Sequence, residues 1–211
     1  MNWKVALSDN KFRIQAIVTL IVLAIILYCL TIFLNFIETR QGIILPDPLL
    51  SHLNPIILTW LIFGLIYLSL ILAVYDLSKH PGQLIFTLQA YLLLVIIRMA
   101  AMYVMPLNPP PDMIPLNDPF VQYFGTGRLL TKDLFFSGHT ATIFLLFLTA
   151  QNKKLKLLFL LCTIVVGLSV LLQHVHYSID VFAAPFFTYC AFSIISFFHN
   201  KLVSGLKTGM K

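Results

Sequence analysis

Charge is what this 211-residue chain has least of. Charged residues make up 10% of it, whereas hydrophobic residues make up 59% and the mean hydropathy is +0.92. Water-soluble domains are about half apolar and about a quarter charged. A soluble core cannot absorb so much apolar surface, so the composition excludes a soluble globular protein and predicts one surrounded by lipid.

Long apolar segments account for this composition. A helix needs roughly 20 apolar residues to cross a bilayer, and six segments qualify, the fourth being the shortest. They are Ile14–Ile37, Pro55–Tyr75, Leu84–Met105, Leu134–Ala150, Leu155–Val175 and Ser178–Phe198. The first is too long for a signal peptide and no small-residue cleavage site follows it. The sequence therefore predicts an all-α integral membrane protein, a single domain over residues 1–211 built as a bundle of six transmembrane helices.

Cysteine pairs and nucleotide or serine-hydrolase motifs are also lacking. Cys29, Cys162 and Cys190 lie far apart inside predicted spans, without the spacing of metal ligands, and are expected to be small packing residues. Neither a G-x-S-x-G pattern nor a P-loop occurs. The sequence thus calls for no cofactor and no resident metal.

The few basic residues are unequally divided between alternate loops. Ten of them lie before the first span, between the second and third, around the start of the fifth, and after the sixth, whereas the other loops hold only Arg40, Arg128 and Lys132. Because cytoplasmic loops carry the excess of lysine and arginine, both termini are predicted to be cytoplasmic. The net charge of +6 is spread over short loops, which argues against nucleic-acid binding.

The sequence FFSGHT, residues 135–140, precedes the fourth apolar run. Ser137 occupies the position of a helix N-cap, and the free N–H groups at a helix N-terminus bind phosphate oxygens. Gly138 would let an anion approach the backbone without a Cβ in the way. His139 would lie in the first turn, next to such an anion, although S-G-H alone is common by chance.

The sequence HVHYSID, residues 174–180, places two histidines and an aspartate between the last two apolar runs. His176 and Asp180 are four residues apart and would share one face of a helix. A carboxylate there holds one imidazole nitrogen protonated and directs the other outward, as a nucleophilic or basic histidine requires. An acid inside a span is a functional candidate, but Asp180 could instead pair with Arg98. His174 is expected to be a polar residue at the water boundary.

Arg98 is the one basic residue inside a predicted span, ~10 Å from its outer end. Its guanidinium could extend to the interface, or face the bundle and hold a phosphate. The predicted topology brings Arg98, His139, His176 and Asp180 to the extracytoplasmic side. This set suits phosphoryl transfer through a phosphohistidine better than acyl transfer, whereas a zinc site would lack a third neutral ligand.

SGHT followed by HYSIDV resembles the two catalytic motifs of the type 2 phosphatidic acid phosphatase superfamily, specifically those of its sphingomyelin synthase branch, C-G-D-x-x-x-S-G-H-T and H-Y-T-x-D-V. Asp133 keeps the branch's spacing to Ser137. LPD at 45–47 and RMAAMYVMPLNPP at 98–110 are similar to the branch's other two motifs, L-P-D and R-x-x-x-M-Y-V followed by prolines.

The chain departs from these patterns at several positions. Thr131 and Lys132 replace the Cys and Gly that precede the first motif's aspartate, here Asp133. Pro185 stands where the family tends to have an aromatic residue after the second motif's aspartate, here Asp180. Val170 follows Ser169 where the superfamily's phosphatases carry Arg, and no K-x6-R-P occurs. The synthase branch lacks these basic residues as well, so their absence favours it over a generic lipid phosphatase.

The resemblance implies a mechanism and a set of site residues. His176 would attack the phosphorus of a phospholipid headgroup while Asp180 orients it, and His139 would protonate the departing diacylglycerol oxygen. A lipid alcohol such as ceramide would then take the headgroup. Substrate-binding roles would fall to Arg98, Ser137, Gly138, Asp133, Tyr103, Tyr177 and Asp47.

The partners implied are a phospholipid donor, a lipid-alcohol acceptor and the membrane itself, and a homo-oligomer is compatible with the sequence. The expected location is a bacterial cytoplasmic membrane, with the site on the periplasmic or lumenal side. Two other functions stay open. One is a lipid phosphate phosphatase or phospholipase C-type hydrolase that uses the same two histidines, and the other is a non-catalytic membrane scaffold.

The charge distribution makes a topology prediction. With both termini cytoplasmic, a cysteine at Asn117 should react with a membrane-impermeant thiol reagent in intact cells, and a cysteine at Asn152 should not. The reverse labelling pattern would invert the topology and place the two histidines on the cytoplasmic side.

Overall fold

The computed structural model describes residues 2–116 and 129–208, with side chains as far as Lys201. Within these ranges the chain forms seven α-helices and no β-strand, which confirms the all-helical prediction. They are α1 (Trp3–Ser8), α2 (Asn10–Thr39), α3 (Thr59–Leu77), α4 (Pro81–Val104), α5 (Gly138–Thr149), α6 (Lys153–Leu172) and α7 (Ser178–Thr208). Residues 117–128 of the predicted outer loop, including Asn117 and Arg128, lie outside the described residues.

Five of these helices, α2, α3, α4, α6 and α7, are long and apolar enough to cross a membrane. They correspond to five of the six predicted spans and confirm an integral membrane protein. The number of crossings and the orientation of the termini stay predictions.

The fourth predicted span is shorter than expected. Its helix, α5, begins at Gly138 rather than Leu134 because Ser137 caps it, and it has 12 residues. At 1.5 Å per residue it is ~18 Å long, whereas the hydrocarbon core of a bilayer is ~30 Å thick. By length alone, α5 does not span a membrane.

Helix α5 lies at the centre of the bundle. It packs against α3, α4, α6 and α7. Its residues Ala141, Ile143 and Leu145 are almost completely buried. A short apolar helix is stable in this position because its neighbours, rather than lipid, cover its surface. Its N-terminus is thereby held inside the protein.

Helix α2 lies at the periphery. It packs along α4 and against the short α1, and its contact with α3 is marginal at most. Only Phe12, Thr19 and Ile37 of its 30 residues are buried. Most of α2 therefore faces lipid, and its side toward α3 is not filled by helix packing.

The segments after α2 and α4 are joined to each other. Ile43 N donates to Pro106 O at 3.1 Å, and Asn108 N donates to Ile43 O at 2.9 Å. Gly42 makes this approach possible, because a Cβ there would lie 2.5 Å from the carbonyl carbon of Leu107. These bonds bring the LPD segment over the turn between α6 and α7.

Candidate functional site

His176 and Asp180 are in contact, but they do not share a helix as the sequence suggested. His176 lies in the turn before α7, and Asp180 lies in the first turn of α7. The Asp180 carboxylate reaches back past the helix start: Oδ2 accepts from Tyr177 N at 3.0 Å and contacts His176 Nδ1 at 3.3 Å. This backward reach is half of a capping box. Both side chains are fully buried.

The pairing with Asp180 fixes the hydrogen positions of the His176 ring. Nδ1–H donates to the carboxylate, so Nε2 carries the free lone pair. Nε2 is buried and makes no hydrogen bond within the described part of the chain, and the same is true of Asp180 Oδ1. A buried, unused acceptor on an oriented imidazole is the arrangement that a nucleophilic histidine needs.

The start of α5 is tied directly to the same turn. Ser137 Oγ accepts from Thr140 N at 3.4 Å, as an N-cap does, and Ser137 N donates to Asp180 O at 3.1 Å. This backbone bond brings the two sequence motifs together. The His139 ring consequently lies with its centroid 6.0 Å from that of His176, with Phe63 on another side at 6.2 Å.

Arg98 faces the bundle rather than the interface. Its guanidinium is buried: Nε donates to Phe136 O at 2.9 Å, and Nη2 pairs with Asp133 Oδ1 at 2.5 Å. The interpretation that it extends to the membrane surface is therefore wrong. So is the alternative that Asp180 is its ion-pair partner, because Asp133 has that role.

The guanidinium of Arg98 lies against the N-terminus of α5. A Cβ added to Gly138 would be 2.8 Å from Arg98 Cζ, so this close approach depends on glycine. The space above Gly138, where the sequence predicted an approaching anion, holds this side-chain cation, and anion binding by Gly138 stays a prediction. An anion bound there would meet both the guanidinium and the free N–H groups of the helix.

A cavity of about 490 Å³ opens beside these residues. Arg98, Asp133, Gly138 and His139 line one end of it, and most of the remaining lining is apolar. Its volume is in the range of small-molecule sites. His176 is not among the residues that line this cavity, although its ring is next to that of His139.

Three residues that the resemblance assigned to substrate binding make contacts within the protein, and their role in binding stays a prediction. Tyr103 is 59% exposed and packs its ring on Arg40, whose guanidinium carbon is 5.0 Å from the ring centroid. Tyr177 is buried, and its hydroxyl donates to Asn108 O at 2.9 Å. Asp47 accepts from Ser178 N at 2.6 Å and from Ser178 Oγ at 3.0 Å. Tyr177 and Asp47 thus hold the turn that carries His176.

His174 is not at a water boundary as expected. It is 5% exposed, has a positive φ of 57°, and directs Nδ1 toward Pro111 O at 3.3 Å. With Asp47 and Tyr177 it lines a second cavity of about 570 Å³. Among the described residues, no group of three His, Cys, Asp or Glu side chains is placed to hold a metal ion.

Two polar residues that position the site were missed by sequence reasoning. Glu38, the only glutamate of the chain, lies in the last turn of α2. Its carboxylate accepts hydrogen bonds from the backbone N–H groups of Thr131 and Lys132, directly before Asp133. Gln173 is buried, accepts from Leu58 N at 2.8 Å and donates to Ile114 O. A lone glutamate at a helix end was a usable signal for the first, whereas nothing in the sequence marked the second.

Asp47 has a perturbed acidity because of its hydrogen bonds. Partial burial raises its pKa, but bonds from the Ser178 backbone and hydroxyl and from the Leu49 and Leu50 amides outweigh this, and the pKa lies below the ordinary 3.8. These donors favour the ionised form. The LPD segment is therefore fastened to α7 by a carboxylate that stays charged.

This acidity gives a pH-dependent prediction. Because the folded-state pKa is lowered, the stabilisation by Asp47 is complete above the unfolded-state pKa near 3.8 and is lost as pH falls through the folded value. Asp47→Asn should lower the unfolding temperature in detergent at pH 7, and its difference from wild type should shrink below pH 3.8. Asp112→Asn, at an exposed position, is the control. A difference that is constant down to the acid limit would contradict the ionic role.

A comparison with known families agrees with this geometry. Residues 132–197 match the family described as PAP2 superfamily C-terminal, and this third of the chain contains Asp133, Ser137, His139, His176 and Asp180. No curated protein matches the chain. The match supports the type 2 phosphatidic acid phosphatase superfamily, and with it phosphatase or phosphotransferase chemistry in a membrane protein.

Proposed function

We propose that this protein is a phospholipid headgroup transferase. It moves a phosphocholine or phosphoethanolamine group from a glycerophospholipid to a lipid alcohol such as ceramide, through a phosphohistidine on His176. The observation that carries the proposal is the juxtaposition of the His139 and His176 rings, 6.0 Å apart between centroids, with Asp180 on the far nitrogen of His176. A single phosphoryl group bound between the two rings could contact both of them.

The first step forms the covalent intermediate. The lone pair of His176 Nε2 attacks phosphorus, a P–N bond forms, and the P–O bond to diacylglycerol breaks with its electron pair leaving on oxygen. His139 in its protonated form donates a proton to that oxygen, which makes diacylglycerol a neutral leaving group. Asp180 stabilises the positive charge that develops on the His176 ring.

The second step reverses the proton movements. His139, now neutral, takes the proton of the acceptor hydroxyl as its oxygen attacks phosphorus. The P–N bond breaks, its electron pair returns to Nε2, and the headgroup is now esterified to the acceptor. Each histidine ends in its starting protonation state, so no further reactant is required.

The charges around the cavity favour a phosphodiester substrate. Among the described lining residues, Arg98 is the one permanent cation, and Asp133 already balances it. A phosphodiester brings one negative charge, whereas a phosphomonoester brings about 1.5 to 2 at neutral pH. Arg98 has five N–H donors, of which two are used by Phe136 O and Asp133, so the others are free for phosphate oxygens.

A lipid phosphatase is the second candidate, and the family match favours it as much as it favours transfer. Water would then replace the acceptor alcohol in the second step, with His139 again as base. The two functions differ in product: a transferase makes a new phospholipid, a phospholipase C-type hydrolase releases a phospho-headgroup, and a phosphomonoesterase releases inorganic phosphate. We place the reaction on the periplasmic or lumenal side, from the charge of the loops.

The histidine roles make a testable prediction. Purified protein is mixed with a headgroup-labelled phospholipid without acceptor, quenched in acid, and examined for protein-bound label. His176→Ala should lose both the bound label and transfer to ceramide, because no nucleophile remains. His139→Ala should load label roughly 10²–10⁴-fold more slowly, as expected for loss of a general acid. Asp180→Asn should slow loading without abolishing it.

His174→Ala is the matched control, because it removes an imidazole from the same turn without removing a reacting group. It should load label if its fold is intact. Wild-type labelling of His176→Ala would overturn the assignment of the nucleophile, and equal activity of all three site variants would favour a non-catalytic scaffold.

Gly138 gives an independent prediction about the bound phosphate. In Gly138→Ala the new Cβ would lie 2.8 Å from Arg98 Cζ, so the guanidinium must move away from the start of α5. We expect turnover to fall by roughly tenfold or more, the scale of one lost charge-assisted hydrogen bond of ~1.5–3 kcal/mol. The unfolding temperature should fall as well, because a displaced guanidinium loses its bonds to Phe136 O and Asp133. Breaking a buried ion pair costs more than alanine gains over glycine in a helix.

The control is Gly64→Ala in α3, where a Cβ would meet nothing within 4 Å. It should leave turnover unchanged. Measurements of turnover and of unfolding temperature on both variants separate displacement of Arg98 from a general effect of alanine. Wild-type turnover in Gly138→Ala would mean that the position of Arg98 is unimportant for the reaction.

A further inference from the structure

The apolar part of the cavity beside Arg98 extends along the helices, away from the histidines. On α4 its lining continues from Arg98 back to Leu84, a separation of 14 residues or ~21 Å. On α3 it continues from Ile66 to Leu77. One leaflet of a bilayer has a hydrocarbon thickness of ~15 Å, half of ~30 Å. The cavity is therefore longer than one leaflet is thick.

This cavity is bounded laterally by a helix pair that does not pack tightly. Leu23, Leu30 and Leu34 of α2 form one wall, and residues of α3 form the opposite one. Because contact between α2 and α3 is marginal at most, a chain can pass between them from the surrounding lipid without leaving an apolar environment.

The far end of the cavity is covered. Leu77, Leu84 and Thr87 line it there, and Leu77 and Thr87 are buried. Beyond them α1 packs across α2 and α4, where Ala6, Phe12 and Ile85 form a buried cluster. A hydrocarbon chain that extends from the Arg98 end thus reaches the closed end of the cavity after a fixed distance.

We propose that this cavity holds one hydrocarbon chain of the substrate lipid, and that its end at Leu84 and Thr87 limits the length of chain accepted. The inference rests on the proposed function, in that the phosphate of the same lipid lies at Arg98 and His139. The occupant is a lipid chain for two reasons. The polar end of the cavity contains the proposed reacting groups, and the other walls are mostly apolar side chains of helices that lie in the membrane.

The selectivity should be a cutoff rather than a gradual increase with length. A chain that moves from lipid into this cavity exchanges one apolar environment for another, so added methylenes gain little. A chain that is too long, however, must overpack the closed end. Overpacking a close-packed site costs the equivalent of roughly 5- to 150-fold in binding.

A photo-crosslinking experiment tests occupancy without requiring turnover. A phospholipid with a diazirine at the end of one chain is irradiated with the wild-type protein in lipid nanodiscs, and the adducts are mapped by mass spectrometry. We expect adducts at Leu77, Leu84 and neighbouring residues of α3 and α4. Adducts confined to lipid-facing positions such as Ile71, which is 67% exposed, would overturn the proposal.

Two substitutions should move the cutoff in opposite directions. Thr87→Phe fills the closed end and should lower turnover of long-chain donors by roughly tenfold or more relative to short-chain donors. Leu84→Ala deepens the cavity and should extend the accepted length. Ile71→Phe, on the outer surface of α3, is the matched control and should leave the length profile unchanged.

The measurements distinguish this inference from the proposed function. Measurable turnover of a short-chain donor shows that Thr87→Phe is folded, and if that variant does not fold, Leu84→Ala alone decides. Turnover with an unaltered length profile in Leu84→Ala overturns the length limit. Adducts at Leu84 in a wild-type protein that converts no phospholipid would support the chain site and overturn the transferase.

Discussion

The buried guanidinium of Arg98 is the group that constrains most of the structure around it. A charge among membrane helices is costly unless it is paired and hydrogen-bonded, and here Asp133 and the Phe136 carbonyl supply the partners. The chain before α5 therefore runs close to α4 as far as Phe136, directly before the Ser137 cap. The same guanidinium requires glycine at position 138, since any Cβ there would displace it.

The turn that carries His176 is held by residues from distant parts of the chain. Asp47 binds Ser178, Tyr177 binds Asn108, and Gln173 binds both Leu58 and Ile114. These bonds join the segments after α2 and α4 to the space between α6 and α7. The side chains of His176 and Asp180 are thus oriented by a polar network at the ends of the helices, while apolar packing within the bundle fixes where the helices lie.

The parts of this architecture that depend on composition and local pattern were predictable. Apolar length gave the helices, and the N-cap preference of serine gave the role of Ser137. Whether Arg98 faces lipid or protein could not be predicted, because that depends on Asp133, 35 residues away, being brought alongside. The positions of Tyr103 and Tyr177 were likewise inaccessible: both belong to recognisable motifs, but their contacts are set by packing between segments that sequence pattern does not relate.

The shortness of α5 has a consequence for water. Its far end is followed by exposed residues and the lysines that begin α6, so that end lies at a membrane surface, and its ~18 Å reach only part of the way across a ~30 Å hydrocarbon layer. The start of α5 would thus lie roughly 12 Å from the opposite surface. Arg98 lies at a similar depth, because it is six residues, or ~9 Å, before the end of α4. A phosphorus atom at His139 would therefore reside about 10 Å beneath the opposite surface, where the local concentration of water is low. The length of one helix would then help determine whether an activated phosphoryl group is passed to a lipid or lost to the solvent.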